Sequence, residues 1–178
     1  MARTLLAGLL SMWAVAAEAE VTSSSTIGFE IQNRRTVAAS SSAAYAALGR
    51  IRAWWKKDHT YSGDAANLSL GLTAGECFCE RLRDGGTVEH MRVVYARPGD
   101  TLRLQGGLGP LQAEAAVGTL TFAFKAVQGG TEITQSYIVG GFIRGGADTL
   151  APLVDKVLAE QLDGLVRHLG DKNINSVD

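Results

Sequence analysis

The sequence predicts an α+β domain in which one antiparallel sheet packs against a long C-terminal helix. Three observations predict it. The middle of the chain is a run of alternating apolar segments punctuated by glycine turns. Strands and helices do not alternate as parallel βαβ units would require. The last element is an amphipathic stripe that needs a partner, and the strands are what precede it. The 178 residues, 46% hydrophobic and 20% charged, suit a single domain with a sizeable core. That composition excludes collagen, a disordered chain and a disulfide-dense miniprotein. Seventeen basic residues against eighteen acidic ones lack the basic excess of a nucleic-acid binder.

The elements follow in order. Residues 1–19 read as a secretory signal: Arg3 supplies the positive start, Leu5 to Ala16 the apolar run, and Ala17-Glu18-Ala19 the small-x-small cleavage pattern. The apolar run is shorter than the ~20 residues that span a bilayer. Cleavage after Ala19 therefore predicts a periplasmic or secreted protein with no stable membrane span, residues 20–178 forming its one domain. Glu20 to Ser25 is polar and expected to be loose. Ile27 to Val37 alternates as a half-buried strand, with Phe29, Ile31 and Val37 on one parity. The serines around Ser40 offer a helix cap, and Ala43–Leu48 and Ile51–Lys57 read as two short helices broken at Gly49.

Strands are then expected at 68–72, Glu76–Leu82, Val88–Ala96, Thr101–Gln105, Gly118–Val127 and Glu132–Val139. Asp84-Gly85-Gly86 turns the second into the third, and a two-residue Gly85-Gly86 turn is one way to do so. Gly106 to Pro110 reads as a glycine-rich loop, and Gly140-Gly141 and Gly145-Gly146 as brackets around a flexible hinge. The final helix carries Leu150, Leu153, Val154, Val157, Leu158, Gln161, Leu162, Leu165 and Leu169 on one stripe. Asp148 or Thr149 caps it, Pro152 fits its first turn, and Gly170 follows its end, giving about five to six turns.

This order resembles the helix-grip fold of the START-like (SRPBCC) superfamily, on its polyketide cyclase/dehydrase-like branch. The strand running into Ala38-Ala39-Ser40-Ser41-Ser42, the Trp54-Trp55 pair, the Arg97-Pro98-Gly99-Asp100 turn and Gly129-Gly130-Thr131-Glu132 before the last strand carry the resemblance. It spans roughly residues 27–169. The resemblance implies a curved sheet of about six to seven strands gripping the long helix around an apolar cavity, with two short helices after the first strand. It implies a small hydrophobic or amphipathic ligand. Some relatives are enzymes and many only bind, so the fold leaves the activity open.

Trp54, Trp55 and Tyr61 are the aromatic candidates for the cavity mouth, where flat rings stack on ligands or merely anchor a helix. Glu80 and His90 lie across the hairpin from each other and are the candidate acid–base pair. A two-residue turn would instead set His90 against Arg81, on the opposite face from Glu80, leaving an ordinary solvated strand. Arg103 could meet a ligand carboxylate in a forked contact. Cys79, Leu108 and Phe142 complete the expected ligand-binding set. Cys77 and Cys79, at i and i+2 on one strand, stand parallel and are read as two buried thiols, a bridge needing a bulge or strong twist. With His90 they fall short of a zinc ligand set, and neither metal nor cofactor is expected. The first reading is an exported carrier of a small apolar molecule. An enzyme of the cyclase or dehydratase type in the same cavity is the alternative. A stress or envelope protein with a filled cavity and a protein partner is the third reading.

Overall fold

In the computed structural model, residues 19–174 are described. Residues 1–18, which hold nearly all of the expected signal, lie outside them. The described chain forms one antiparallel sheet of eight strands in the order β1-β2-β8-β7-β6-β5-β4-β3. The strands are β1 (Ala19–Ser25), β2 (Gly28–Val37), β3 (Leu68–Leu70), β4 (Cys77–Arg81), β5 (Thr87–Arg97), β6 (Thr101–Gly106), β7 (Ala115–Val127) and β8 (Gly130–Phe142). Helix α1 (Ser41–Leu48) follows β2, and α2 (Ala147–Ile174) closes the fold against β1, β2 and β8. This is the α+β helix-grip arrangement, with one strand more than the alternation suggested.

The extra strand is β1. The polar run expected to be loose pairs with β2 from Ala19↔Asn33 to Ser25↔Gly28. Its polarity is that of an edge strand, whose outer side meets water. Helix α1 starts where the serines placed it: the Ser40 hydroxyl accepts from the Ala43 amide at 3.3 Å. The second short helix is only a 3₁₀ turn at Ile51–Ala53, with another at Lys57–His59. Side chains as well as backbone hold the chain between them: the Trp54 and Trp55 amides both donate to the Ile51 carbonyl. The Trp54 indole donates to the Ala47 carbonyl at 3.1 Å, and the Trp55 indole to the His59 carbonyl at 2.9 Å.

Three further expectations need correction. Gly140 and Gly141 belong to β8, which is paired with β7 out to Phe142, so the segment before the helix is three residues shorter than a hinge bracketed by all four glycines. Pro152 is the sixth residue of α2 rather than part of its first turn, because the helix begins at Ala147. It therefore removes an internal hydrogen bond, which packing must offset. Gly170 does not end the helix, which continues to Ile174.

The core lies between the sheet and α2. Ile31, Leu102, Leu104, Leu120 and Ile133 face Leu158, Leu162 and Leu165 from the helix, all shielded from solvent. Each such side chain stabilises the fold by roughly 1.5–3 kcal/mol through burial. Polar groups share this space. The Asn33 amide donates to Asp155 at 3.3 Å and approaches Gln135 at 3.5 Å. Gln161, on the apolar stripe, accepts from the Lys56 amide at 2.8 Å. It ties the loop after α1 to α2.

Candidate functional site

The site begins in the β4–β5 hairpin. Leu82 and Gly86 close its loop by a backbone hydrogen bond of 2.8 Å, and Arg81 pairs with Thr87. The turn is thus longer than the two-residue alternative, and His90 does not face Arg81. From Arg81 the ladder runs Glu80↔Val88 and Cys79↔Glu89, then jumps to Phe78↔Met91. His90 is the extra residue of a β-bulge, and a bulge re-aims a side chain. His90 and Met91 are consequently both buried, with Glu89 and Arg92 exposed on either side. His90 turns to the same side as Glu80, and His90 Nε2 lies 3.0 Å from Glu80 Oε2. The solvated-strand reading of this pair is therefore replaced by a buried one. The neighbouring strand accommodates the bulge through Gly106. Its φ is +154°, and a Cβ there would collide with the His90 carbonyl oxygen.

Glu80 is 1% exposed and His90 5%. The carboxylate accepts from the Ser62 amide at 2.5 Å and the Tyr61 amide at 3.1 Å. Burial pushes the Glu80 carboxyl up, but the hydrogen bonds from Ser62, Tyr61 and His90 outweigh it and hold its pKa below the ordinary value. Burial pushes His90 down, and the partly compensating pull of Glu80 leaves it below its ordinary value. At neutral pH the pair is a carboxylate and a neutral imidazole. An ionised carboxylate only accepts, so Nε2 carries the ring proton and donates to Glu80. Nδ1 then bears the lone pair. Among the described residues no protein group bonds Nδ1, and it is not among the side-chain atoms shut off from solvent without a partner.

His90 opens onto a cavity of about 520 Å³. Trp55, Asp58 to Tyr61, Leu108 to Pro110 and one face of α2 from Leu150 to Leu158 form the rest of its wall. The size lies within the ~300–1,000 Å³ of small-molecule sites. An aromatic series underlies one side. Trp54 and Trp55 have ring centres 5.7 Å apart, Trp55 and Phe78 5.0 Å, Phe78 and His90 4.7 Å, and His90 and Tyr61 5.8 Å. The Tyr61 hydroxyl donates to the Gly109 carbonyl at 2.9 Å, joining the two loops at the mouth. Tyr137 anchors the second loop from below: its hydroxyl accepts from the Leu108 amide at 3.3 Å. Burial pushes that phenol up to about 12, so it stays protonated. Leu153 is 62% exposed and Tyr61 53%, as wall residues of an open cleft are.

The expected site residues divide accordingly. Trp55, Tyr61, His90 and Leu108 line the cavity, and Glu80 stands behind His90. Trp54 is buried against α1 and α2 and does not reach the wall. Arg103 is exposed, with its guanidinium 5.6 Å from the Tyr95 ring centre. Phe142 is 70% exposed, outside the cavity. Cys79 lies on the face of β4 opposite Phe78 and Glu80 and is disulfide-bonded to Cys77, correcting the expectation of two thiols. The register shift of the β4–β5 ladder falls between Phe78 and Cys79, with its extra residue, His90, on β5. Asp58, His59 and Thr60 in the wall were not singled out as ligand contacts from sequence. The amides of Tyr61 and Ser62 carry no side-chain signal at all. Among the described residues no cluster of side chains is arranged to hold a metal ion.

No family model matches this sequence. No curated protein matches it either. Solved structures do. An uncharacterized protein from Rhizobium leguminosarum shares 20% identity over 88% of this chain and 99% of its own, with a TM-score of 0.59. Mll3558 from Rhizobium loti shares 19% over 79% of this chain and 96% of its own, at 0.60. CalU16 from Micromonospora echinospora shares 13% over 90% of each chain, at 0.58. DynU16, described as a protein in the dynemicin biosynthetic locus, shares 17% over 79% of this chain and 47% of its own, at 0.55. What the chain has in common with all of them is the sheet closed by a C-terminal helix.

Proposed function

We propose that the protein binds a small hydrophobic or amphipathic molecule in the cleft between its sheet and C-terminal helix. The observation that carries this is a wall dominated by Trp55, Leu108, Pro110 and the apolar face of α2, interrupted at one buried point by His90. Apolar area removed from water would supply most of the binding energy, at ~25 cal/mol per Å² before the costs of association. One polar group would fix orientation. The open cleft gives no support to a filled-cavity protein with only a protein partner. The chain is also proposed to be exported to the periplasm or beyond, with residues 1–19 removed. The Cys77–Cys79 disulfide supports that address, because disulfides persist in oxidising compartments.

The buried Glu80–His90 pair favours a second reading, an enzyme of the cyclase or dehydratase type, where such a pair moves protons. DynU16's biosynthetic locus is compatible with that branch.

Native mass spectrometry of the protein from its own compartment tests both proposals. The expected spectrum shows a chain beginning at Glu20 with one co-purified mass of a few hundred daltons. A chain retaining residues 1–19 overturns export. A bare chain whose melting temperature no apolar compound raises overturns binding. Incubating the released molecule with fresh protein and finding its mass and NMR spectrum unchanged overturns the enzyme reading.

A further inference from the structure

The polar chemistry of the cavity is one-sided. Five of its wall residues carry side-chain donors: Trp55, His59, Thr60, Tyr61 and His90. Each already has a partner within the protein. The Trp55 indole donates to the His59 carbonyl at 2.9 Å, and the Thr60 hydroxyl to the Lys57 carbonyl at 2.7 Å. The Tyr61 hydroxyl donates to the Gly109 carbonyl at 2.9 Å. His59 Nε2 lies 3.2 Å from Glu160, and His90 Nε2 lies 3.0 Å from Glu80. What these groups still offer is lone pairs: His90 Nδ1 at the buried end, and the Tyr61 and Thr60 oxygens nearer the mouth. Asp58 adds a carboxylate there.

A ligand group that meets these side chains must bring the hydrogen. We propose that the cavity selects neutral apolar molecules that carry a hydroxyl or another uncharged hydrogen-bond donor, and discriminates against carboxylates. This rests on the binding reading above and specifies its ligand. A hydroxyl placed at His90 Nδ1 completes a relay in which the ligand donates to Nδ1 while Nε2–H donates to the Glu80 carboxylate, itself held by two backbone amides. Hydrogen bonds in such a chain polarise one another in the same direction. A carboxylate at the same place would face a lone pair, with the Glu80 charge just behind it and no uncommitted side-chain donor of the wall to replace its lost water. Desolvating an anion without a partner is among the costliest events in binding. An ether or ester of the same length avoids the charge penalty but leaves Nδ1 unpaired.

The test compares three probes of one chain length on the intact protein at pH 7.5: 1-decanol, decyl methyl ether and decanoate. Displacement of a bound apolar fluorophore reads all three. We expect 1-decanol to bind about tenfold tighter than the ether and tighter still than decanoate, tenfold being the worth of one ordinary buried hydrogen bond. In His90→Leu the preference for the alcohol over the ether should disappear. Equal binding of the three probes, or tightest binding of decanoate, would overturn the proposal and leave the binding reading standing. Failure of the fluorophore and of all three probes to bind overturns the binding reading with it. The wild-type comparison decides the matter even if His90→Leu does not fold.

Discussion

Glu80 and His90 are the buried pair through which the core responds to acid. His90 has its folded pKa depressed below 6.5, chiefly by burial. Stability from keeping the ring neutral is present above 6.5 and is lost as pH falls through the lower folded value. Glu80 is depressed below 4.5 despite its burial, so its contribution is present above 4.5 and is lost as pH falls further. Denaturation followed by urea should therefore show stability declining in two stages from pH 6.5 downward. His90→Gln should flatten the upper stage and keep the lower. A variant with the same slope as wild type between pH 6.5 and 5 would show that His90 titrates as in the unfolded chain. The pairing itself was only half legible in the sequence. Composition and hairpin placed Glu80 and His90 near each other. The face of His90 depends on a one-residue bulge, and alternation counted along β5 misses it.

At the scale of elements, the long helix and the strand that enters α1 were plain, because periodicity over many residues averages out local exceptions. The edges were not. β1 lacks apolar alternation because Thr22 to Ser25 are all exposed and only Val21 packs partly against the core. The loop after α1 is held by the Trp54 and Trp55 indoles and by Gln161, none of which leaves a periodic signal. The contact of α2 with this loop also sets a steric limit. A Cβ at Gly164 would collide with the Trp54 carbonyl oxygen, a backbone atom that cannot swing aside. Gly164→Ala should gain up to about 1 kcal/mol of helix propensity yet lose about 1–3 kcal/mol to overpacking. A thermal melt should show a lower midpoint. A higher midpoint would mean that helix and loop separate easily, and that the cleft opens by that route.

The whole molecule depends on long-range pairing more than on its covalent link. β2 and β8 join chain segments about a hundred residues apart, from Gly28↔Gly140 to Val37↔Thr131. The disulfide joins residues only 2 apart. In the chain-entropy account so short a ring restrains the unfolded state by only about 1.6 kcal/mol, against about 4.7 for a 100-residue loop. Reduction by dithiothreitol should accordingly lower the melting temperature by a few degrees and leave the fold intact, as circular dichroism would report. Collapse on reduction would assign the bridge a structural weight that its position does not suggest. The bulge beside it has another consequence. If His90 were deleted, Met91 would follow Glu89 directly, and the β4–β5 ladder could run without interruption. The sheet would be the more regular for it, and the buried end of the cleft would lose its imidazole, leaving polar side chains only nearer the mouth. In this chain the imidazole that faces the cleft sits at the first of two places where β5 departs from its own repeat, the second lying between Val93 and Tyr95 beside β6.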